Sequence, residues 1–384
     1  MQDVIGLQAV GRLPADWLAA LQRALAAAGA RLESLEQRSL GAGVALTLLV
    51  SPAQAGEPLA AALRTLGLQP APLATPAPDA GQAQVLTLMG RRLAALPLDR
   101  VAALCAEQGL SIQAIRTLSA PGSTERAALE LRVTGEPHDA QAWRAALLEL
   151  AQEGRADIGW QPDELHRQHR RLAVFDMDST LIQAEVIDEL AKAAGIGERV
   201  AAITERAMRG EIDFRASFTE RMALLQGLSE DVLADIGAQL RLTEGAERLF
   251  AELKRLGYKT AILSGGFTYF ARQVQARLGI DYVYANELEI VDGKVTGRAV
   301  EPIVDAQRKA DLLRELASRE GLELAQTIAV GDGANDLPML ALAGLGVAFR
   351  AKPLVRQSAR QSLSVLGLDG VLYLLGVEDR HTLG

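Results

Sequence analysis

The chain has 384 residues, a length that favours two or three domains. Its formal net charge of −8 argues against a general nucleic-acid binder, and its 49% hydrophobic content supports well-formed cores rather than disorder. No apolar run approaches the roughly 20 residues that a membrane-spanning helix needs, so we expect no membrane partner.

The cysteine content suggests a cellular compartment. The one cysteine, Cys105, lies in AALCAEQG, a stretch with the pattern of a helix. It has no intramolecular disulfide partner, which fits a reducing environment, and no secretory signal is apparent at MQDVIGLQAV. We therefore expect a soluble, cytoplasmic protein in which Cys105 is a small buried hydrophobic residue.

The first part of the chain, residues 1–75, has the pattern of a βαββαβ unit. Its predicted elements are strand 3–10, helix 14–28, strand 30–38, strand 42–50, helix 56–66 and a short strand near 69–74. The proline-rich segment 69–81 follows. We expect its four prolines, Pro70, Pro72, Pro76 and Pro78, to interrupt helix and sheet and to form a linker.

Residues 82–162 repeat the same order of elements. The predicted elements are strand 85–90, a helix near 97–108, strand 111–119, strand 127–135, a helix near 139–152 and strand 156–160. Two βαββαβ units predict two ferredoxin-like sandwiches in tandem. The stretches ALAAAGARLESLEQR and ALCAEQGLSIQAIRT resemble each other in the way that ACT regulatory domains do, so the two units look like an ACT-like pair.

The resemblance to ACT domains leaves the role of the pair open. That family often has a Gly-x-Asp-x-Pro-Gly-type turn after its first strand, where amino acids bind, and neither VGRLPAD nor MGRRLAALP matches it. A packing or dimerising role remains, and we expect a homodimer formed through the N-terminal region. The segment QPDELHRQHRR, residues 161–171, is expected to be a solvated basic connector.

From about residue 170 to residue 384 the pattern changes to apolar strands that alternate with helices. The predicted strands are 172–175, 258–263, 282–286, 327–331 and 346–349, and a hairpin is centred on Asp292-Gly293. Near-continuous apolar strands predict a doubly wound parallel sheet that is covered on both faces. The long, mostly helical insertion after the first strand, at about 183–245, predicts a cap over a site.

Four polar clusters follow these strands or begin a helix. They are Asp176 and Asp178, Ser264 with Gly265 and Gly266, Lys309, and Asp332 with Asp336. Ligands of doubly wound sheets gather at the carboxyl ends of the strands, so we expect these side chains to lie together. Each cluster alone is weak evidence, because a Ser-Gly-Gly turn or a lone lysine is usually structural.

Together these residues point to phosphate chemistry with a bound Mg²⁺ ion, a hard cation that takes oxygen ligands. Asp176, Asp178 and Asp332 are the predicted metal ligands, with Asp336 as a supporting carboxylate. Asp176 is the predicted nucleophile and would form an aspartyl-phosphate, while Asp178 would donate and accept protons. Ser264, Gly265 and Lys309 are expected to hold the phosphoryl oxygens.

Residues 171–375 resemble the haloacid dehalogenase superfamily of phosphohydrolases in four ordered motifs. These are FDMDST (175–180), LSGG (263–266), Lys309 and GDGAND (331–336). Three stretches of the insertion, QAEVIDELAKAAG, ITERAMRGEIDF and RMALLQGL, resemble the family that hydrolyses O-phospho-L-serine. This second resemblance implies roles in substrate binding for five further residues: Glu185 at the ammonium group, Arg221 at the carboxylate, Met208 and Phe214 in an apolar lid, and Asn335 in orienting the substrate.

Other interpretations of the same residues remain. Glu185 could be a helix N-terminal acid, Met208 and Phe214 could be plain cap core, and Arg221 could be solvated. The same chemistry could transfer phosphate to an alcohol such as homoserine or act on another small phosphorylated metabolite. From another class, the chain could be chiefly an ACT-based module that senses an amino acid.

Overall fold

The computed structural model describes residues 4–12, 17–40, 43–73, 83–209 and 211–382. It divides the chain into two compact units, Met1–Ala80 and Gly81–Gly384. Within the described ranges, every helix is too short or too polar to cross a membrane. The domain limits predicted above, 1–75, 82–162 and 170–384, stay predictions.

The first unit is a four-stranded antiparallel sheet with two helices. Its elements are β1 (Ile5–Gly11), α1 (Trp17–Ala27), β2 (Arg31–Leu40), β3 (Gly43–Ser51), α2 (Gly56–Thr65) and β4 (Leu68–Leu73). The strand order β2-β3-β1-β4 is that of the predicted ferredoxin-like sandwich. Alternate residues of β1, Leu7 and Ala9, pack in one core with Leu21 and Leu59 of the helices.

Two of the four linker prolines belong to this sheet. Pro70 and Pro72 lie in β4 and stand opposite Ala9 and Leu7 of β1. Our expectation that they interrupt a sheet is wrong, because β4 is an edge strand and needs hydrogen bonds on one side only. The rest of the predicted linker, with Pro76 and Pro78, lies outside the described residues.

The second unit begins with a sheet of the same topology. Its elements are β5 (Gln84–Gly90), α3 (Leu98–Glu107), β6 (Ser111–Thr117), β7 (Ala127–Thr134), α4 (Ala140–Gly154) and β8 (Asp157–Pro162), with strand order β6-β7-β5-β8. Cys105 lies on α3 and is 1% exposed, which confirms its predicted burial. One sheet face packs on the helices, and Met89, Leu118 and Ala128 join the core of the following domain.

A six-stranded parallel sheet with helices forms the rest of this unit. Its strand order is β11-β10-β9-β14-β15-β16, which confirms the predicted α/β class. The strands are β9 (Leu172–Phe175), β10 (Lys259–Phe267), β11 (Tyr282–Asn286), β14 (Thr327–Gly331), β15 (Leu345–Phe349) and β16 (Gln361–Leu363), with a hairpin of β12 (Leu288–Val291) and β13 (Lys294–Ala299). The edge strand β16 was not predicted, because QSL has no apolar alternation.

The central strand β9 shows why its sequence is continuously apolar. Ala173 and Phe175 pack into the core on one face, while Leu172 and Val174 pack into the core on the other. The helices that cover the two faces are α9 (Ala246–Arg255), α10 (Thr268–Leu278), α11 (Ala306–Arg319), α12 (Leu337–Leu342), α13 (Pro353–Ser358) and α14 (Gly370–Leu374).

The insertion after β9 forms a helical cap. It contains α5 (Val186–Ala193), α6 (Gly197–Met208), α7 (Phe214–Leu224) and α8 (Glu230–Gln239). The two connections to the sheet pair with each other, since Ile182 and Leu242 form an antiparallel bridge. The β12–β13 hairpin also contacts the cap, because the Gly227 N–H donates to the Val295 carbonyl at 2.8 Å. The sequence predicted the hairpin but not this contact.

The segment 161–171 is not a solvated connector, and that expectation is wrong. Arg167 is 2% exposed and donates to the carboxylate of Glu130 on β7, and Arg170 is 5% exposed. Both side chains are buried because the second sheet packs directly on the α/β domain that follows it. At the same junction the carboxylate of Asp157 accepts hydrogen bonds from three backbone N–H groups, those of Ser364, Val365 and Leu366.

Candidate active site

The carboxyl ends of β9 and β14 place two aspartates side by side. Asp176 follows β9 directly and Asp332 follows β14 directly, and these strands are neighbours in which Phe175 stands opposite Val330. Lys309 approaches from α11, which begins after Asp305, a cap residue that accepts from the Arg308 N–H at 2.8 Å. The Lys309 Nζ atom lies 3.0 Å from Asp176 Oδ2 and 2.7 Å from Asp336 Oδ1.

Lys309 is fully buried, so its charge depends on these two partners. Burial alone lowers the pKa of a lysine, but the carboxylates of Asp176 and Asp336 outweigh it and raise the pKa of Lys309. Lys309 therefore remains a cation and partly offsets the charge of Asp176, which the sequence places directly behind an apolar strand.

The GDGAND loop supplies two further carboxylates. Asp336 accepts from Lys309 and, at 3.0 Å, from the Gly333 N–H, while Asp332 accepts from the hydroxyl of the buried Thr180 at 3.2 Å. Burial, with Asp176 as the next contributor, raises the pKa of Asp332 to about 7 and that of Asp336 to about 6. A bound cation would favour the ionised forms of these acids.

Asp178 lies at a sharp turn after Asp176. The turn is closed at Ser179, whose φ of 53° is in the left-handed region. The Asp178 carboxylate accepts from the Val186 N–H at 3.2 Å and lies against Gly266, where a Cβ would stand 2.4 Å from its Oδ2. Burial raises the pKa of Asp178 well above its ordinary value, and Glu185 and Asp176 contribute to the shift.

The Ser-Gly-Gly segment forms the last part of β10, which is longer than predicted. Regular pairing with β11 is interrupted between Leu263 and Phe267. Within the interruption, the buried Ser264 hydroxyl accepts from the Gly266 N–H at 2.9 Å. The Asn286 side chain donates to the Gly265 carbonyl at 2.8 Å and accepts from the Val304 N–H at 2.7 Å. Asn286 thus ties this segment to the loop before α11.

The cap brings three of the predicted substrate residues to this edge. Glu185 accepts from the Ser179 hydroxyl at 2.6 Å, and burial raises its pKa. Phe214, the first residue of α7, lies against Gly265, where a Cβ would stand 3.3 Å from its ring. Burial lowers the pKa of Arg221, and the charges of Asp188 and Glu185 partly oppose this shift.

Two predicted substrate residues are less defined. Asn335 is half-buried in the GDGAND loop, with its amide against Gly333. The backbone of Met208 ends α6, but its side chain lies outside the described part of the chain. The roles of both residues stay predictions.

The donor set fits a hard divalent cation. Asp176, Asp332 and Asp336 each place a carboxylate oxygen within 4.8 Å of the others, and oxygen ligands are what such a cation prefers. The structure groups Asp336, rather than the side chain of Asp178, with Asp176 and Asp332. Because Asp336 is also paired with Lys309, Asp176 and Asp332 have the carboxylates that are freer to hold a metal.

Three contributing residues escaped the sequence analysis. Thr180 supports Asp332, Ser179 supports Glu185, and Asn286 holds the Ser-Gly-Gly segment. Thr180 and Ser179 lie within FDMDST, so their positions next to Asp178 could have identified them as residues of the site. Asn286 gave no signal, because its partners are distant in the chain.

Comparisons with known proteins agree with this geometry. A family model described as haloacid dehalogenase-like hydrolase matches residues 173–341, and an ACT domain model matches residues 83–161. The fold and site thus define a haloacid dehalogenase-like hydrolase, a class that uses a divalent metal ion.

Individual relatives identify the family more narrowly. The phosphoserine phosphatase of Streptomyces coelicolor is 47% identical over 293 residues, which are 76% of this chain and 70% of the relative. That of Archaeoglobus fulgidus is 47% identical over 65% of this chain and 74% of its own. The crystal structure of a probable phosphoserine phosphatase from Vibrio cholerae has a TM-score of 0.62 at 36% identity, over 76% of this chain and 86% of its own. The chain belongs to the phosphoserine phosphatase family.

Proposed function

We propose that the chain hydrolyses O-phospho-L-serine to L-serine and phosphate with Mg²⁺, the last step of L-serine biosynthesis. The observation that carries the proposal is the convergence of Asp176, Asp178, Lys309 and Asp332 at one sheet edge, beneath a cap that presents Glu185 and Arg221. The named relatives support the substrate.

The substrate carries three charged groups that match three parts of the site. A phosphate would bind near Lys309, Ser264 and the N–H groups beside Gly265, where positive charge and donors offset its oxygens. The ammonium group would pair with Glu185. Arg221 would take the carboxylate, since its half-buried guanidinium forms no ion pair with any described residue and hydrogen-bonds only to the Ser217 carbonyl at 3.3 Å.

The reaction would proceed in two steps. An oxygen of Asp176 attacks phosphorus, the bond from phosphorus to the serine oxygen breaks, and Asp178 gives its proton to that oxygen. Asp178 then takes a proton from a water molecule whose oxygen attacks the aspartyl-phosphate, which releases phosphate and restores Asp176. Lys309 remains beside Asp176 throughout and offsets charge on the phosphoryl group.

Asp176, Asp178 and Asp332 would hold Mg²⁺, with Asp336 as a supporting carboxylate. Bound there, it would neutralise carboxylates that otherwise repel and would draw charge from the phosphoryl oxygens. The Thr180 hydroxyl donates to Asp332 and the Gly333 N–H donates to Asp336, and these two bonds fix the carboxylates of the GDGAND loop before any ligand arrives.

The test is phosphate release by the purified full chain. We expect release from O-phospho-L-serine with Mg²⁺, little release with a chelator, and slower release from phosphothreonine and sugar phosphates. Addition of homoserine or another alcohol should not divert the phosphate from water. If O-phospho-L-serine gave no phosphate while another phosphorylated metabolite did, the assigned substrate would be wrong and the chemistry would stand.

We also propose a cytoplasmic homodimer that forms through the N-terminal unit. The single cysteine supports the cytoplasmic compartment. The edge strands β2 and β4 of the first sheet support the dimer, since sheet edges readily pair. Light scattering of the full chain should give twice the monomer mass, and a monomer mass would refute the dimer.

A further inference from the structure

A second cavity lies at the edge of the catalytic sheet opposite the active site. Its volume is about 650 Å³, it is open to solvent on one side, and it is lined by the second ACT-like domain, the 161–171 segment and the loop before β15. Arg170 precedes β9, Ala325 precedes β14 and Gly344 precedes β15, so these lining residues stand at the amino ends of the strands. Asp176 and Asp332 stand at the carboxyl ends. The cavity is therefore separate from the catalytic residues.

The floor of the cavity contains a buried arginine whose charge is unpaired within the described residues. Arg170 is 5% exposed, and its firmest hydrogen bond is to the Arg167 carbonyl at 2.8 Å. Its contacts with Gln161 Oε1 and the Gly344 carbonyl are both 3.4 Å, and its buried Nε atom has no acceptor in the described part of the chain. Buried guanidinium groups are normally matched by a carboxylate, so this arrangement is costly without a ligand.

The neighbouring Arg167 provides an internal comparison. It is equally buried, but it donates to the Glu130 carboxylate. Arg170 has neutral oxygens in the corresponding positions. Burial lowers the pKa of Arg170 to about 10, Tyr258 and Glu164 act against this shift, and Arg167 adds to it. Among the described residues, the same segment thus carries one buried arginine that is paired with a carboxylate and one that has no carboxylate within ion-pair distance.

The cavity walls add further positive charge. Arg144 and Arg360 line it, and neither forms an ion pair with a described residue, although Arg144 donates to the Ala359 carbonyl at 3.0 Å. The carboxylates of the lining are those of Glu136 and Glu164, which are exposed at its rim. The chain has a net charge of −8, yet arginines outnumber carboxylates in the lining of this cavity, so the cavity favours an anionic ligand.

We propose that this cavity binds a small molecule through an oxyanion, a phosphate or a carboxylate group, that pairs with Arg170. A guanidinium presents a planar set of donors that matches either group. Cavities of several hundred Å³ hold small metabolites rather than single ions. The exposed Glu136 and Glu164 would favour a ligand with a cationic group at its other end.

The test measures binding to the full-length wild-type chain and to Arg170→Gln by calorimetry in the presence of Mg²⁺. Inorganic phosphate probes the phosphate class and glycine the carboxylate class. We expect the wild type to bind one of these probes at a site that Arg170→Gln weakens at least tenfold. Arg100→Gln, which removes an exposed arginine of the same domain, should bind like the wild type.

Two variants that keep Arg170 separate loss of binding from loss of folding. Ala140 and Ala341 are exposed residues of the lining, and Ala140→Trp and Ala341→Trp should obstruct the cavity and abolish the same binding event. Hydrolysis of O-phospho-L-serine reports the catalytic site independently and should persist in both. Unchanged isotherms in Arg170→Gln and both tryptophan variants would overturn the proposal, as would the absence of any Arg170-dependent binding of either probe.

Discussion

At the scale of single residues, the catalytic aspartate is held by its neighbours rather than by its own strand. Asp176 is 5% exposed, and it retains an ionic partner in Lys309, whose other partner is Asp336. A change at Asp176 that removes its charge but keeps its shape therefore leaves Lys309 paired. This separates the catalytic role of Asp176 from any role in stability.

We predict that Asp176→Asn abolishes turnover without unfolding the protein. The amide cannot form the aspartyl-phosphate, so kcat should fall on the order of 10⁴-fold or more, as when a catalytic nucleophile is removed. Phosphate release from O-phospho-L-serine and circular dichroism together check this. The exposed Asp235 of the cap supplies the control, and Asp235→Asn should be fully active. Normal turnover by Asp176→Asn would show that the nucleophile lies elsewhere.

Cys105 allows a second prediction at this scale. It is buried on α3, and burial raises the pKa of its thiol to about 11, so almost no thiolate is present at pH 8. We expect Cys105 of the native chain to react with a thiol reagent such as DTNB far more slowly than the denatured chain does. Rapid reaction under native conditions would contradict the packing described for α3.

At the scale of structural elements, one side chain forms hydrogen bonds where the β10–β11 ladder is interrupted. Asn286 at the end of β11 is fully buried and bonds both to Gly265 and to the loop before α11. It thereby fixes the distance between the Ser-Gly-Gly segment and the helix that carries Lys309. In the ranges that the structure describes, no other side chain hydrogen-bonds to both ends of this link.

We predict that Asn286→Ala lowers both stability and activity. The buried N–H of Val304 and the half-buried carbonyl of Gly265 would lose their partner, and an unpaired buried group typically costs about 1–3 kcal/mol in the free energy of unfolding. Turnover should fall more than substrate affinity, because the phosphate donors would lose their alignment. Asn286→Asp keeps the acceptor for Val304 and should lie between the two. Urea unfolding and steady-state kinetics measure these effects, and wild-type values in Asn286→Ala would exclude a positioning role.

The elements that the sequence predicted well are those with a strong local pattern. The apolar runs of β9, β14 and β15 and the repeated βαββαβ order are local signals. The four polar motifs lie together because parallel strands place their carboxyl ends at the same edge of the sheet. The failures depend on tertiary contacts. Arg167 and Arg170 are buried only because two domains share a surface, Pro70 and Pro72 are tolerated only at a sheet edge, and Asn286 acts across a loop.

At the scale of the whole molecule, metal binding should be linked to folding. The carboxylates of Asp176, Asp332 and Asp336 meet only in the native fold, so a cation that they hold stabilises that fold alone. At a Mg²⁺ concentration 100 times its Kd the gain is about 2.7 kcal/mol.

We predict that Mg²⁺ raises the Tm of the wild type and that EDTA reverses the rise. Asp332→Asn should largely lose this response, because it removes a carboxylate that belongs to the metal-ligand cluster and that pairs with no lysine among the described residues. Asp235→Asn should respond like the wild type. A scanning fluorimetry titration checks the effect, and an undiminished rise in Asp332→Asn would mean that Asp332 does not hold the metal.

The junction between the second ACT-like domain and the catalytic domain is also ionic, and this makes it sensitive to acid. Glu130 is 7% exposed and accepts from Arg167 of the 161–171 segment and from Arg116 at 2.6 Å. Burial alone would raise the pKa of Glu130, but the hydrogen bonds and charges of the two arginines outweigh it and lower the pKa below its ordinary value. The ionised form is thus favoured by folding.

The sign of the resulting pH dependence follows from linkage. Because the native pKa of Glu130 is depressed, its contribution to stability is present above its unfolded pKa of about 4.3 and is lost as the pH falls through the native pKa. Glu130→Gln leaves Arg167 buried without its partner, which should cost about 3–5 kcal/mol near pH 7. The other carboxylates titrate in both proteins, so the difference between the two isolates Glu130.

We therefore predict that the stability difference between the wild type and Glu130→Gln is constant above about pH 5 and shrinks as the pH falls toward 3. Urea unfolding at several pH values measures it, and Glu153→Gln, in an exposed pair with Arg100, should show a difference near zero at every pH. A difference that grew as the pH fell would mean that Glu130 is protonated in the native state, and the paired arginines would then not hold this junction together.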